Sequence, residues 1–239
     1  MKPTAGAPAS GNRLLAAVTK MDSASILGKC ELVAAEFGTT LTEPGAPILH
    51  VYFPVTCFIS LITPKHAAES LEVGLVGNEG VFGITLALGV DASPLKGLVQ
   101  GEGDALRMKA RDFRRALEDS PSFSRVMNAY LFVLMGQIAQ TAACGRFHRL
   151  EARLARWILM THDRAGTSSF RITHVFLAQM LGVRRSGVTV AAGLLQKSKL
   201  IHYRHGVMQV LDRRGLEHLT CPCYRTLNDL YEKHLVAKR

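Results

Sequence analysis

The chain has 239 residues, of which 48% are apolar, and this suits one large or two modest globular domains with a sizeable core. No apolar run approaches the roughly 20 residues that a membrane-spanning helix needs. The apolar run at residues 14–18 is too short for a secretory signal. We therefore expect a cytoplasmic protein with no membrane partner.

The charge is unevenly distributed along the chain. Residues 1–118 contain 11 Lys and Arg against 12 Asp and Glu, a net charge of −1. Residues 119–239 contain 18 against 7, a net charge of +11. A basic half of this kind favours a nucleic-acid partner. A membrane surface is the alternative, but neither end of the chain has a strongly amphipathic basic helix.

The N-terminal half predicts short strands. Residues 1–12 are rich in Ala, Pro, Gly and Ser and are expected to form a disordered tail. One or two short helices are expected in residues 13–27. Gly and Pro then divide residues 31–109 into short apolar stretches, which are typical of a sandwich or barrel. The predicted strands are 48–53, 56–63, 70–76, 95–100 and 104–109, and a helix is expected at 110–118.

A long helix is predicted from Pro121 to about Arg146, because Ser120 can cap it and Pro is tolerated in its first turn. One apolar stripe contains Phe123, Met127, Tyr130, Leu134, Ile138 and Ala142. Other apolar residues fill most of the remaining surface, so the helix must be buried on more than one side. It is either a central core helix or a dimerisation helix that packs on its own domain and on a second copy.

The basic half predicts a helix-turn-helix unit. A helix is expected at 148–161 and a short strand at 170–172. Leu177 and Leu181 then share one face of a short helix, and Gly182 suits the tight turn that ends it. A second helix, at about 184–197, buries Val188 and Leu195 and exposes basic and hydroxyl side chains. An apolar alternation about Gly206 predicts a β-hairpin, and residues 215–234 have a helical pattern.

An ordinary pair of packed core helices would explain part of this pattern. The basic and hydroxyl side chains at the start of the second helix, however, are those that read base edges in the major groove. A hairpin follows directly, and the charge of the chain is concentrated in this half. We therefore interpret the region as DNA-binding.

The order Thr-x3-Leu-Ala-x2-Leu-Gly-Val-x-Arg-x2-Val-Thr, followed by Leu-Ile-x-Tyr-x3-Gly, resembles the C-terminal domain of the Crp/Fnr transcription regulators. Residues 49–54, 72–83 and 147–157 resemble the β-roll and hinge of the same family. The resemblance implies an α+β fold in three parts. These are a β-roll sensor domain at 13–119 (a jelly roll like those that bind cyclic nucleotides), a dimerisation helix at 120–147, and a winged helix-turn-helix domain at 148–239.

The resemblance also implies roles and partners. It implies a homodimer, formed through the stripe on the long helix, that binds a near-palindromic double-stranded operator and has RNA polymerase as a further partner. Arg185 matches a base-reading Arg of the family. Ser186 and Val190 stand where the founding member has Glu and Arg, so the target sequence should differ from that of the founding member. The expected DNA contacts are Thr173, Arg184, Arg185, Ser186, Thr189, His202, Arg204 and His205.

The effector is left unknown by the sequence. Cyclic-nucleotide binders of the family have a Gly-Glu pair for the ribose and a later Arg for the phosphate. Here Ile84 follows Gly83, and no Arg occurs between Lys65 and Arg107. Lys gives a point charge without the guanidinium fork, so we predict no useful binding of cyclic AMP or cyclic GMP. The candidate effector residues are Gly80, Gly83 and Lys96.

We predict that the chain has no cofactor, no metal site and no enzymatic activity. His218-x2-Cys221-Pro-Cys223 supplies three metal-ligating side chains, but structural zinc sites need four with a recognisable spacing. The five scattered cysteines are expected to be free thiols. The sequence has no nucleophile elbow, phosphate loop or metalloprotease motif. A ligand-binding β-roll or barrel enzyme with an incidental basic half, and an architectural DNA binder without a sensor, remain alternatives.

Overall fold

The computed structural model describes residues 11–64 and 70–235. A β-roll, a long helix and a C-terminal helix-turn-helix unit follow one another along the chain, and this confirms the predicted fold class. Of the predicted disordered tail, residues 1–10 lie outside the described part. Asn12 corrects that prediction, because its buried side chain caps the first helix and donates to the carbonyls of Pro54 and Gly80.

The first domain begins with two short helices, α1 (Arg13–Ala16) and α2 (Lys20–Leu27). Seven strands follow in the described part of this domain: β1 (Cys30–Ala35), β2 (Thr40–Thr42), β3 (His50–Pro54), β4 (Phe58–Ile62), β5 (Glu72–Val76), β6 (Lys96–Gly101) and β7 (Gly103–Lys109). They form two antiparallel sheets, in the orders β1-β7-β3 and β2-β6-β4-β5. The sequence predicted five of these strands and missed β1 and β2.

Helix α3 (Ala110–Asp119) leads into α4 (Pro121–Phe147), the longest helix of the chain. The Ser120 hydroxyl accepts a hydrogen bond from the Phe123 amide, so the predicted cap forms. Helix α4 packs against the β-roll, where the side-chain amide of Gln137 accepts from the backbone N–H of Leu75 and donates to its carbonyl. This pairing joins the helix to β5, an edge strand of its sheet.

The C-terminal domain contains α5 (Leu150–Ala165), β8 (Ser169–Arg171), α6 (His174–Leu181), α7 (Arg185–Lys197), β9 (Ile201–Arg204), β10 (Val207–Val210), α8 (Arg213–Leu219) and α9 (Cys223–Leu235). Its three strands form a sheet in the order β8-β10-β9. The predicted helical tail is therefore two helices, because Pro222 interrupts the pattern and α9 returns to pack on α4. None of the helices in the described ranges is both long and apolar enough to cross a membrane.

Candidate nucleic-acid interface

The turn between α6 and α7 has the geometry of a helix-turn-helix unit. The Thr173 hydroxyl caps α6 by accepting a hydrogen bond from the Phe176 amide. Gly182 ends that helix with φ of +61°, in the left-handed region that favours Gly. Val188 and Leu195 of α7 are buried against the domain core. The opposite side of α7 is consequently held toward solvent.

Helix α7 presents a basic and hydroxyl surface at its N-terminus. Arg184 is the N-cap residue, and Arg185 and Ser186 form the first turn; all three side chains are exposed. Thr189 lies one turn later and is also exposed. An exposed, basic helix N-terminus of a helix-turn-helix unit suits contacts to phosphates and to base edges in the major groove. The structure thus brings the predicted α7 residues to one surface.

His174 is a residue of this surface that the sequence prediction missed. Its ring stacks on Tyr203 at 4.4 Å, and its Nδ1 lies 3.1 Å from the Thr189 hydroxyl. Because that hydroxyl donates to the Arg185 carbonyl, the imidazole Nδ1 must donate to it. Burial, helped by the nearby positive charge of Arg185, lowers the pKa of His174 and favours the neutral ring. His174 therefore holds the Thr189 hydroxyl in position by donating a hydrogen bond to it.

The predicted hairpin consists of β9 and β10, which are joined by a two-residue turn. His205 and Gly206 have φ of +51° and +75°, as a type I′ turn requires. His202, Arg204 and His205 are exposed on this hairpin. The backbone N–H of Tyr203 donates to the side chain of Gln196, so the hairpin is fixed to α7. The wing residues and the α7 residues are therefore parts of one connected surface.

Two buried polar contacts join the β-roll to α5. The Glu72 carboxylate accepts from the Trp157 indole at 2.9 Å and from the Ser60 hydroxyl at 2.7 Å. Burial raises the pKa of Glu72 from its ordinary 4.5 to about 7, against the opposing effect of these donors. Glu79 forms the second contact, a buried ion pair of 2.6 Å with Arg164. The orientation of α5, on which α7 packs, is thus tied to the β-roll.

The residues predicted to form the dimer interface lie inside the chain instead. Phe123, Met127 and Tyr130 have 0% exposed surface, Leu134 has 7%, and Ile138 packs against the same core. The ring of Phe123, for example, meets Phe113 edge-on at 5.5 Å. The error has a physical reason: α4 is apolar on several sides, and its richest stripe is covered by the β-roll and α3.

A second apolar stripe of α4 faces solvent. Phe132 is 53% exposed and Met135 is 62% exposed, although both are large apolar side chains. Ala139 and Ala142 continue this line, with spacings of 3, 4 and 3 residues. Such spacing is that of a coiled-coil seam, in which the same stripe packs against a second helix. We call the line Phe132, Met135, Ala139 and Ala142 the exposed seam.

The three candidate effector residues lie in separate environments. Lys96 is already paired with Glu43, with Nζ and Oε1 2.9 Å apart. Gly80 lies under the Tyr130 ring, which would clash with any Cβ there. Gly83 starts a short 3₁₀ helix, Ile84–Leu88. Inside the roll, the Phe82 ring covers Gly97 in the same close manner.

A group of metal-ligating side chains was also missed. Cys144 and His148, at the end of α4, meet Cys221 and Cys223, at the start of α9. Their ligand atoms all lie within 4.8 Å of one another. His218, the third ligand in the local sequence motif, is not part of the group. Local spacing missed this arrangement because the two pairs are far apart in the sequence.

The chain matches the model of one protein family and is similar in fold to several solved structures. Residues 152–219 match the model of the Crp-like helix-turn-helix domain. No curated protein sequence matches the chain. Solved structures of the same fold include FixK2 from Bradyrhizobium japonicum, with 13% identity over 80% of this chain and 98% of that chain, at a TM-score of 0.68.

Two further structures give the same result. One is the c-di-GMP responsive global regulator CLP of Xanthomonas campestris, with 15% identity over 80% of this chain and 99% of that chain, at a TM-score of 0.65. The other is a transcriptional regulator of the CRP/FNR family from Thermus thermophilus, with 20% identity over 79% and 97%, at a TM-score of 0.63. At these identities the similarity establishes the fold.

Proposed function

We propose that this chain, a Crp/Fnr-type regulator by its fold and its Crp-like helix-turn-helix domain, binds a specific, near-palindromic operator as a homodimer. The observation that carries the proposal is the exposed N-terminus of α7, where Arg184, Arg185, Ser186 and Thr189 share one surface with the basic wing. The net charge of +11 on the C-terminal half supplies attraction to phosphates.

The exposed seam supports the homodimer. Two α4 helices paired along this stripe would bury Met135 and the part of Phe132 that its ring contact with His234 at 4.9 Å leaves exposed. Such a pair places two copies of α7 on the same assembly. We expect them to lie about 34 Å apart, so that they enter successive major grooves on one face of the DNA.

Within the interface, we propose different roles for Arg185 and Arg204. Arg185, in the first turn of α7, reads a base through its guanidinium fork, since Arg can donate two hydrogen bonds to guanine. Arg204, on the wing, neutralises a phosphate and is insensitive to sequence. Thr173 and the two wing histidines add contacts to the backbone of the operator.

Arg185→Ala is expected to weaken binding to the operator by about 1–3 kcal/mol and to relax specificity at one base position. Arg204→Ala should weaken operator and scrambled DNA similarly and reduce the salt slope by about 1. The operator is first selected from random duplexes by the purified protein. Fluorescence anisotropy at several salt concentrations then measures both affinities.

Arg111→Ala is the matched control, because Arg111 lies on α3 and its side chain is 85% exposed. It should leave both affinities unchanged. Equal operator and scrambled affinities for the wild type would contradict sequence-specific binding. An unchanged operator affinity in Arg185→Ala would contradict the role given to α7.

The β-roll is proposed to bind neither cyclic AMP nor cyclic GMP. A buried cyclic phosphate without adequate cationic partners is strongly disfavoured. Lys96 is engaged by Glu43, and Ile84 stands where a ribose-binding Glu is expected. Isothermal titration of the wild type with each nucleotide should give no saturable heat. A dissociation constant in the low micromolar range would contradict this proposal.

A further inference from the structure

We propose that Cys144, His148, Cys221 and Cys223 bind one zinc ion that fastens the end of α4 to the start of α9. Cys144 lies in the last turn of α4, and His148 is the C-cap residue of the same helix. Cys221 precedes α9 and Cys223 is its first residue. A Cys-x3-His pair and a Cys-Pro-Cys pair thus converge from two elements.

The distances within the group are close to those of a tetrahedral site. Zn–S bonds of about 2.3 Å place neighbouring sulfurs roughly 3.8 Å apart. Here the Sγ atoms of Cys144 and Cys221 are 3.4 Å apart, and His148 Nδ1 is 3.4 Å from Cys223 Sγ. With every pair within 4.8 Å, side-chain adjustments of under about 1 Å would complete the tetrahedron.

The surroundings compensate the charge of such a site. Three thiolates, a neutral imidazole and Zn²⁺ together carry one negative charge. Arg156 is buried, its charge acts on both Cys144 and Cys221, and its Nη1 has no hydrogen-bond partner among the described residues. The guanidinium is therefore a buried cation beside the group, and a zinc thiolate site would add a negative charge to that of the nearby Glu72 carboxyl.

Other features suit a metal site in the same way. The side-chain amide of Gln140 donates to Cys223 Sγ at 2.9 Å, an outer contact of the kind that orients ligands. The three cysteines are buried, whereas His148 is partly exposed and gives the ion a path from solvent. Zinc is the metal that a set of three Cys and one His favours, since iron–sulfur clusters generally need four Cys.

Zinc at this site would hold the junction between α4 and α5. That junction is formed by His148 and Arg149, the cap residues of the two helices. The Cys-Pro-Cys pair would in turn fix α9 on the end of α4. The ion would therefore stabilise the arrangement of the two domains, and its binding is measurable without DNA.

The test measures metal content in protein purified under reducing conditions. After mild chelation, the wild type should still contain about one zinc ion per chain. Under the same treatment, Cys221→Ser and His148→Ala should each contain less than roughly a tenth of that amount. Cobalt loaded in place of zinc should give the visible d–d bands of a tetrahedral thiolate site. Cys57→Ser is the matched control, because Cys57 is equally buried but lies in the β-roll.

A strong chelator should lower the thermal midpoint of the wild type and of Cys57→Ser, and added zinc should restore it. The midpoints of Cys221→Ser and His148→Ala should not respond to either treatment. Wild-type protein without zinc and without cobalt bands would overturn the proposal. So would a Cys144–Cys221 disulfide, found by alkylation and mass spectrometry of freshly lysed cells, because the group would then be a redox pair.

Discussion

Replacing Phe132 and Met135 together with Glu is expected to convert the proposed homodimer into a folded monomer that no longer binds a two-fold operator. Each substitution acts twice in a symmetric pair, and burial of one apolar side chain contributes about 1.5–3 kcal/mol. Association should therefore weaken by at least ~100-fold. Sedimentation velocity at micromolar concentration measures the assembly, and anisotropy with the selected operator measures the binding.

The control for this experiment is Leu88→Glu, which removes a comparably exposed apolar side chain from the β-roll. It should remain dimeric and bind the operator normally. Leu134→Glu is unsuitable as a test, because Leu134 belongs to the core and its loss would unfold the monomer. A double variant that sediments as a dimer, with its circular dichroism unchanged, would reject the exposed seam.

Glu72→Gln is expected to remove most of a stability change between about pH 4.5 and pH 7. The folded-state pKa of Glu72 is raised from 4.5 to about 7 by burial. The folded state therefore binds more protons in this window, so the free energy of unfolding falls as the pH rises through it. At about 1.4 kcal/mol per unit, the wild type should lose roughly 3 kcal/mol relative to the variant.

A Gln side chain at position 72 can keep the hydrogen bonds that Glu72 makes with Trp157 and Ser60. The Trp157 indole is only a donor, so the Gln oxygen can accept from it. The Ser60 hydroxyl also contacts the Gln100 oxygen and can donate there while it accepts from the new amide. The charges that face Glu72 come from Arg156 and Arg164, and neither is altered.

Urea unfolding at pH 5 and pH 8 compares the wild type, Glu72→Gln and the exposed control Glu102→Gln. The wild type and the control should both lose stability at the higher pH, and Glu72→Gln should lose much less. An identical pH dependence in all three proteins would show that the Glu72 carboxyl is not the titrating group.

The helix-turn-helix unit could be predicted because its signals are local. Gly182, the buried face of α7 and the Gly of the wing turn all act within a few residues of one another. Strands β1 and β2 lacked such a signal. β1 shows no regular alternation of buried and exposed residues, and β2 has only three residues.

Features that depend on distant residues could not be predicted. Two stripes of α4 have apolar residues at helical spacing, and only the packed β-roll decides which one remains exposed. Cys144 and Cys221 are 77 positions apart, so no spacing rule connects them. In the sequence, nothing distinguishes His174 from an ordinary helix residue, because its role depends on stacking against Tyr203, which is distant in the chain.

The amide of Gln137 also bears on solubility. An edge strand offers unpaired backbone groups to which a strand of another molecule can add, and β5 occupies such an edge. Gln137 occupies both the N–H and the carbonyl of Leu75, the fourth residue of that five-residue strand. A foreign strand would have to displace helix α4 to continue the sheet. The helix therefore also hinders the growth of intermolecular β-structure from this edge of the sheet.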